Sequence, residues 1–487
     1  MSSTTVAIII LFYFFALFVI SYFTSRGADN QSFFIGNRKS PWYLVAVAMI
    51  GTSISGVTFI SVPGWVGTSQ FSYLQMILGY LLGYFVIANV LLPLYYRLNL
   101  TSIYTYLETR FGFISYKTGA VLFLVSRIIG SAFRLFIVSS VLQLTVFNSW
   151  GVPFWVTVTV TIVLIWLYTR KGGVRTVLWT DTFQTVAMLT AVILCVYYIA
   201  DDLNLSFMGI VNTVAESDLS RVWFFDDINS RYHFIKQFLG GAFTTIVMTG
   251  LDQDMMQKNL SCKSYKDAKK NMYWYSFAFL PINLLFLSLG VLLYVFASAK
   301  GIALPAKTDE LFPLIATQGY LSPAVGILFV LGLIAAAYSS ADSALTALTT
   351  SFTIDLLNTK NMDEDKLRRT RQWAHIFISV ILIGVILLFN VFNGKSVIDA
   401  ILTVAGYTYG PLLGLFAFGL FTRFKVDDIM VPVIAVMSPI ICFVLSYFSV
   451  QLFSGYKFGF ELLVVNGFIT FALLYFTRIK GVLVEKI

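Results

Sequence analysis

Stretches of about 20 apolar residues, the helix length that crosses the hydrocarbon core of a bilayer, recur from one end of this chain to the other. Read in windows of that size they predict thirteen spans, near 5–24, 41–66, 71–96, 115–147, 152–169, 176–200, 233–256, 271–299, 321–351, 372–391, 397–422, 428–449 and 458–477. Backbone groups in lipid must be satisfied within each segment, so the expected fold is an all-α polytopic membrane protein. Composition agrees: 58% of the residues are hydrophobic and 12% charged, with a mean hydropathy of +0.82. That balance is too apolar for one soluble core.

Basic residues set the expected orientation. With the N-terminus outside and the C-terminus cytoplasmic, the outward segments hold only Arg221, Arg231, Lys236, Lys300, Lys307, Lys395 and Lys457. Apart from Arg127 and Arg134 within a span, the rest of the 33 Lys and Arg face inward, in short loops such as Lys258 to Lys270 and Lys360 to Arg371. The formal charge of +9 is therefore read as contact with anionic headgroups, and nucleic-acid binding is not implied. The first span lacks a cationic leader and a cleavage site, so it is expected to be retained.

Several function classes lose support. Cys195, Cys262 and Cys442 suggest no disulfide framework or metal site, and His233 and His375 stand without the partners of a nucleophilic triad, so no catalytic residue is expected. No GxxxxGK[ST] run occurs, and the segments outside the membrane leave no room for a nucleotide-binding domain. The outward segment from Asp201 to Tyr232 is expected to carry a short surface helix, and the inward one from Asn358 to Arg371 reads as a solvated linker.

Polar residues inside apolar spans carry the chemistry, because hydrocarbon gives them no reward. In the ninth span Ala336, Ser339, Ser340 and Ser343 share one face at i, i+3, i+4 and i+7, beside Asp342. Such a stripe calls either for a closely packed partner helix or for a polar cargo. The run GGVRTVLWTDTFQT, from Gly172 to Thr185, places Asp181 a few residues inside the sixth span, where it needs a proton, a transported cation, or a loop cation such as Arg175. The second span, AVAMIGTSISGVTFISVPG from Ala46 to Gly64, combines Gly51, Gly56 and Pro63 with Thr52, Ser53, Ser55, Thr58 and Ser61. Where it unwinds, carbonyls turn toward a hard cation; as an unbroken helix, the same residues make a packing seam. Arg127 and Arg134 share a face of the fourth span on either side of Gly130. Each must meet an anion, whether a substrate carboxylate, Asp342, Asp181 or a group of carbonyls.

Together these runs resemble the sodium:solute symporter family. The resemblance is carried by Gly172 to Thr185 and supported by LTSIYTYLETRFG (Leu100 to Gly112), TGLDQDMMQKNLS (Thr249 to Ser261), AAAYSSADS (Ala335 to Ser343) and GYTYGPLLGLF (Gly406 to Phe416). It implies one transporter domain of leucine-transporter-like architecture: two inverted five-helix repeats, 41–200 and 233–422, with discontinuous first helices, and peripheral helices at 5–24 and 428–477. Gly51, Gly56 and Pro63, and in the second repeat Gly240, Gly241 and Gly250, are the expected breakers.

The resemblance also implies ligands. Sodium, the coupling ion, falls on the carbonyls of Gly51, Ile54 and Ala336 and the hydroxyls of Ser339 and Ser340. Some members hold a second sodium between the aspartate matching Asp181 and serines of the ninth span, here Ser339, Ser340 and Ser343; this chain departs from that pattern at Ala341 and Asp342, where Asp342 offers a further cation or proton position or a partner for Arg127 or Arg134. The solute cavity falls on Ser53, Ser55, Thr58, Tyr73, Gln75, the face of the fourth span near Gly130, Phe243 and Tyr407. Independently of the resemblance, Arg134, the deeper of the two buried arginines, is the candidate grip for a substrate carboxylate. The expected function is sodium-coupled import of a small polar solute (a sugar, a sugar acid such as sialic acid, or a carboxylate) by alternating access, in a plasma or inner membrane of bacterial type. Partners are the solute, sodium and the bilayer, with no obligatory protein. Proton coupling through Asp181 and Asp342 is the nearest alternative, ahead of a passive channel or a sensor.

Overall fold

A computed structural model of the chain describes residues 3–483 apart from 358, 360–361, 393–396, 454 and 457. Lys395, Lys457 and part of the Asn358 to Arg371 linker lie outside the described residues, as do the side chains of residues 397–402. The described chain is almost wholly helical. Its only named strands, Phe424–Val426 and Arg478–Leu483, pair antiparallel at one end of the bundle.

Among the described residues eight helices are long and apolar enough to cross a membrane, or up to ten spans if each of two bent pairs is one. Thirteen spans were expected. The difference lies in segments whose helices stop short: Phe154–Thr169, Gly410–Phe421 and Leu462–Phe476 are apolar but hold 16, 12 and 15 residues. The segment after Asp201 forms the expected short helix, Phe207–Ala215, capped by Ser206, whose hydroxyl accepts from the Gly209 amide.

The two bent pairs fall in the second and seventh expected spans. Trp42–Ser53 and Gly56–Ser69 meet at 58°, and Phe234–Gly250 and Gln253–Leu260 at 63°. The first break is at Ile54 and Ser55, between the glycines expected to cause it, while Pro63 sits inside the second half. In the second pair Gly240 and Gly241 do not break the helix, which runs through them and widens into a π turn at Ile246–Gly250. Asp252 restarts it, its Oδ1 accepting from the amides of Asp254 and Met255. An aspartate at this position satisfies amides that a helix start leaves open.

Gly241 has another task. The Ser72–Val86 helix crosses the Phe234–Thr245 helix with the two backbones in contact. A Cβ on Gly241 would collide with the Met76 carbonyl, one on Gly79 with the Phe238 carbonyl, and one on Gly83 would lie 2.6 Å from the Ala242 oxygen. Lipid supplies no hydrophobic drive between helices, so close approach of this kind holds them together. Gly79→Val is therefore expected to cost about 1–3 kcal/mol by overpacking, read as a lower midpoint of thermal unfolding in detergent; an unchanged midpoint would refute the contact.

At the centre lies Pro323–Ser351. Its most apolar window is 78% buried, against 28% for the first helix, so it is wrapped by protein where the first faces lipid. Cys262, in a turn between helices, is also enclosed, bridging to Ser40, and burial pushes its thiol up to about 12.

Candidate ion and solute site

A helix that stops at Ser53 leaves its last carbonyls without helical amides, and the central helix takes up one of them: Ser340 Oγ donates to the Thr52 carbonyl at 3.0 Å. Gly51 lets the two elements approach, since a Cβ there would collide with Thr185 Oγ1 and lie 3.1 Å from Ser339 Oγ. Ala336 lies one turn before Ser340 on the same face. The carbonyl-bearing break and the hydroxyl stripe are thus side by side and buried; Ala336, Ser339 and Ser340 are each 2% exposed or less.

Asp181 sits beside this contact, on the Val174–Asp202 helix. One of its oxygens accepts from Ser339 Oγ at 2.6 Å, the other from Ser343 Oγ at 3.0 Å and Thr52 Oγ1 at 3.1 Å. Its cation is Lys258, 2.6 Å away, and not Arg175. Lys258 was expected in a cytoplasmic loop; it is 1% exposed, because the Gln253–Leu260 helix turns inward after the break. Asp342 faces elsewhere, accepting from Tyr168 Oη at 2.9 Å and Thr180 Oγ1 at 3.2 Å. One residue along a helix is a rotation of about 100°, which separates Asp342 from the face shared by Ser339 and Ser343.

Among the described residues neither carboxylate pairs with an arginine. Arg127 instead donates to Asp254 and lies 3.7 Å from Asp252, whose Oδ2 also accepts from Tyr409 Oη at 2.5 Å. The second broken helix is pinned to the Phe113–Thr145 helix through this group, which the sequence did not reveal because residues 127, 252–254 and 409 are far apart in the chain. The signal available was Asp252 and Asp254 themselves, two carboxylates at the inner end of an apolar span.

A cavity of about 120 Å³ opens beside the first break. Ser53, Ser55, Thr58, Tyr73 and Arg134 line it, together with Arg127 and with Thr244 and Thr245 of the second broken helix. Ser53 Oγ is 2.6 Å from Tyr275 Oη, itself 2.8 Å from Tyr84 Oη. Among the described residues no carboxylate pairs with Arg134.

Three expected solute residues lie off this cavity. Gln75 is fully buried, accepting from the Phe224 amide at 3.2 Å and donating to the Tyr232 carbonyl at 2.9 Å, so it anchors the outer segment. Phe243 does not line the cavity, whereas its neighbours Thr244 and Thr245 do. Tyr407 lines a separate space of about 460 Å³ with Trp65 and Tyr232; two residues on, Tyr409 faces the arginines.

The bundle, with two broken helices whose ends meet buried hydroxyls and a polar cavity, defines the class: a multi-pass, all-helical membrane protein of leucine-transporter-like fold. The chain belongs to the sodium:solute symporter family, a family of transporters and not of enzymes, whose model matches residues 33–424. It is 28% identical over 418 residues to the mouse sodium-coupled monocarboxylate transporter 1, aligning 83% of this chain with 66% of that protein. It therefore spans about two thirds of that relative's length. It is 26% identical to the sodium/sialic acid symporter of Proteus mirabilis, over 87% of this chain and 86% of the relative. The solved structure of a Na+-coupled sialic acid symporter in a substrate-bound outward-open state superposes with a TM-score of 0.83 at 21% identity, covering 99% of each chain. A nucleobase-cation-symport-1 family transporter superposes at 0.57 with 15% identity, over 90% of this chain and 92% of its own.

Proposed function

We propose that this protein is a sodium-coupled secondary active symporter that imports a small carboxylate, a sugar acid such as sialic acid or a monocarboxylate, by alternating access across a plasma or inner membrane. The carrying observation is the adjacency of two features: a broken helix whose Thr52 carbonyl meets the Ser340 hydroxyl, with Ser339 beside it on Asp181, and a cavity that holds the guanidinium of Arg134 without a carboxylate partner among the described residues. Carbonyl and hydroxyl oxygens suit a hard monovalent cation. A guanidinium suits a carboxylate, which it binds through two parallel hydrogen bonds. The start of the Gly56–Ser69 helix, which no side chain caps, adds a positive dipole end at Ser55 on the same cavity.

The names of the relatives point the same way, since two of them are named for carboxylate cargo. Sodium binding at Gly51, Ile54, Ala336, Ser339 and Ser340 joins the first broken helix to the central helix, favouring the state that accepts solute. The division into repeats at 41–200 and 233–422, and an outside N-terminus, belong to the same proposal.

The drive is sufficient. A 100 mV potential supplies ~2.3 kcal/mol per charge and a tenfold sodium gradient ~1.4 kcal/mol. Together they support accumulation of a neutral solute by roughly a few hundred-fold per sodium. For a monovalent anion moving with one sodium the charges cancel, and only the sodium gradient counts.

Proteoliposomes loaded against a panel of sialic acid, monocarboxylates and neutral sugars test the reading. Concentrative uptake of a carboxylate is expected in sodium and not in potassium or choline at fixed pH. Uptake that follows an imposed proton gradient without sodium would favour Asp181 and Asp342 as proton carriers, and equilibration without accumulation would mark a passive channel.

A further inference from the structure

Lys258 is the one lysine whose ammonium reaches the polar centre of the described bundle, and its surroundings are those of a bound cation. Its Nζ is 2.6 Å from Asp181 Oδ2 and 2.6 Å from Ser343 Oγ, and it donates to Thr52 Oγ1. Those oxygens come from three different helices, Val174–Asp202, Pro323–Ser351 and Trp42–Ser53. An ammonium has three N–H donors and no acceptor, so this shell uses all of them. The same oxygens, one carboxylate and two hydroxyls, are what a sodium ion would take at that point. Two monovalent cations cannot share it: the contacts to Lys258 are already at hydrogen-bond distance, and Asp181 supplies a single negative charge. Asp342 does not contribute, since its bonded oxygen is turned to Tyr168 and Thr180.

We infer that Lys258 is a tethered cation, filling from within the chain the second ion position formed by Asp181, Thr52 and Ser343, so that the protein binds one sodium where this oxygen set would otherwise hold another. The inference rests on the sodium-symport reading and specifies its stoichiometry. Two features make the tether effective. Lys258 is carried by the short helix after the second break, which aims its side chain at Asp181 without crossing lipid. Being covalently attached, it competes with free sodium at a high local concentration. A buried ammonium also removes the requirement that Asp181 find a proton or a mobile cation. With one sodium and one monovalent carboxylate the cycle moves no net charge, and a tenfold sodium gradient supports tenfold accumulation.

The test counts sodium on purified full-length protein by equilibrium dialysis of radiolabelled sodium against a potassium background, with no solute required. Wild type is expected to bind one sodium. Lys258→Met frees the Asp181, Thr52 and Ser343 oxygens and is expected to bind two, doubling the bound label. The neutral double variant Asp181→Asn with Lys258→Met is expected to return to one, which a merely structural role for the ion pair would not produce. Two sodiums on wild type, or one on folded Lys258→Met, overturns the tethered-cation inference alone. No sodium on wild type overturns the symport reading and this inference with it. If Lys258→Met is unstable in potassium, recovery of folded protein in sodium supports the inference, and failure to fold in either salt overturns it.

Discussion

Replacing Ser340 by alanine is expected to raise the sodium concentration needed for half-maximal uptake by about tenfold to a hundredfold, with the Ser339→Ala, Ser340→Ala pair at the upper end or beyond. A hydroxyl lost from a charged partner costs about 1.5–3 kcal/mol, and each 1.4 kcal/mol is tenfold in affinity. Ser340 Oγ already lies against the broken helix, donating to the Thr52 carbonyl, and a small χ rotation presents its lone pairs to an ion held by the neighbouring carbonyls. Ser339 starts from a bond to Asp181, so its loss also removes a donor from that carboxylate. Sodium titration of uptake at saturating solute separates the effect from a loss of folded protein, which lowers the maximum rate and leaves the half-saturation point in place. An unmoved half-saturation point in both variants would end the sodium assignment.

Removing the guanidinium of Arg134 carries the second large effect. Arg134→Met is expected to weaken transport of a carboxylate solute by about 30-fold or more, since truncating one member of a buried charge pair costs about 2–5 kcal/mol. Arg134→Lys keeps the charge but not the planar fork, and is expected to fall between the two. The neighbouring Arg127 cannot substitute, because Asp252 and Asp254 already occupy it. Competition by carboxylate and by a matched neutral analogue is the informative measurement. Equal loss for both would point to damage of the cavity, and no loss for the carboxylate would show that Arg134 does not touch the solute.

The membrane class, most helix positions and the hydroxyl stripe were legible in the sequence because each is local. Twenty apolar residues announce a helix, and i, i+3, i+4, i+7 spacing announces a face. The approach of Ser340 to the first break was what the family resemblance implied; the local cues, glycines and hydroxyls in one span, marked only a helix that either unwinds or packs closely. Gly241 shows the limit of such cues: a glycine looks alike in sequence whether it breaks a helix or lets another backbone touch it. Phe243, Gln75 and Tyr407 do not line the cavity beside the first break, and hydropathy could not have shown this, since a rotation of one or two residues along a helix moves a side chain from one space to another.

Ion pairing was the least legible part. Asp181 had candidate partners along the whole chain, and Lys258 looked like one more basic residue at a cytoplasmic boundary. The 63° bend after Gly250 turned that short helix inward and carried its lysine to the carboxylate; a similar convergence joined Arg127 to Asp252 and Tyr409. The sequence by itself determined that this chain spans a membrane as helices, and that certain buried oxygens needed a positive partner, because burial cost and helical period act over a few residues. Which cation answers each carboxylate was decided only by tertiary structure, because Coulomb attraction depends on distance in space and the covalent chain does not constrain that distance across a hundred residues.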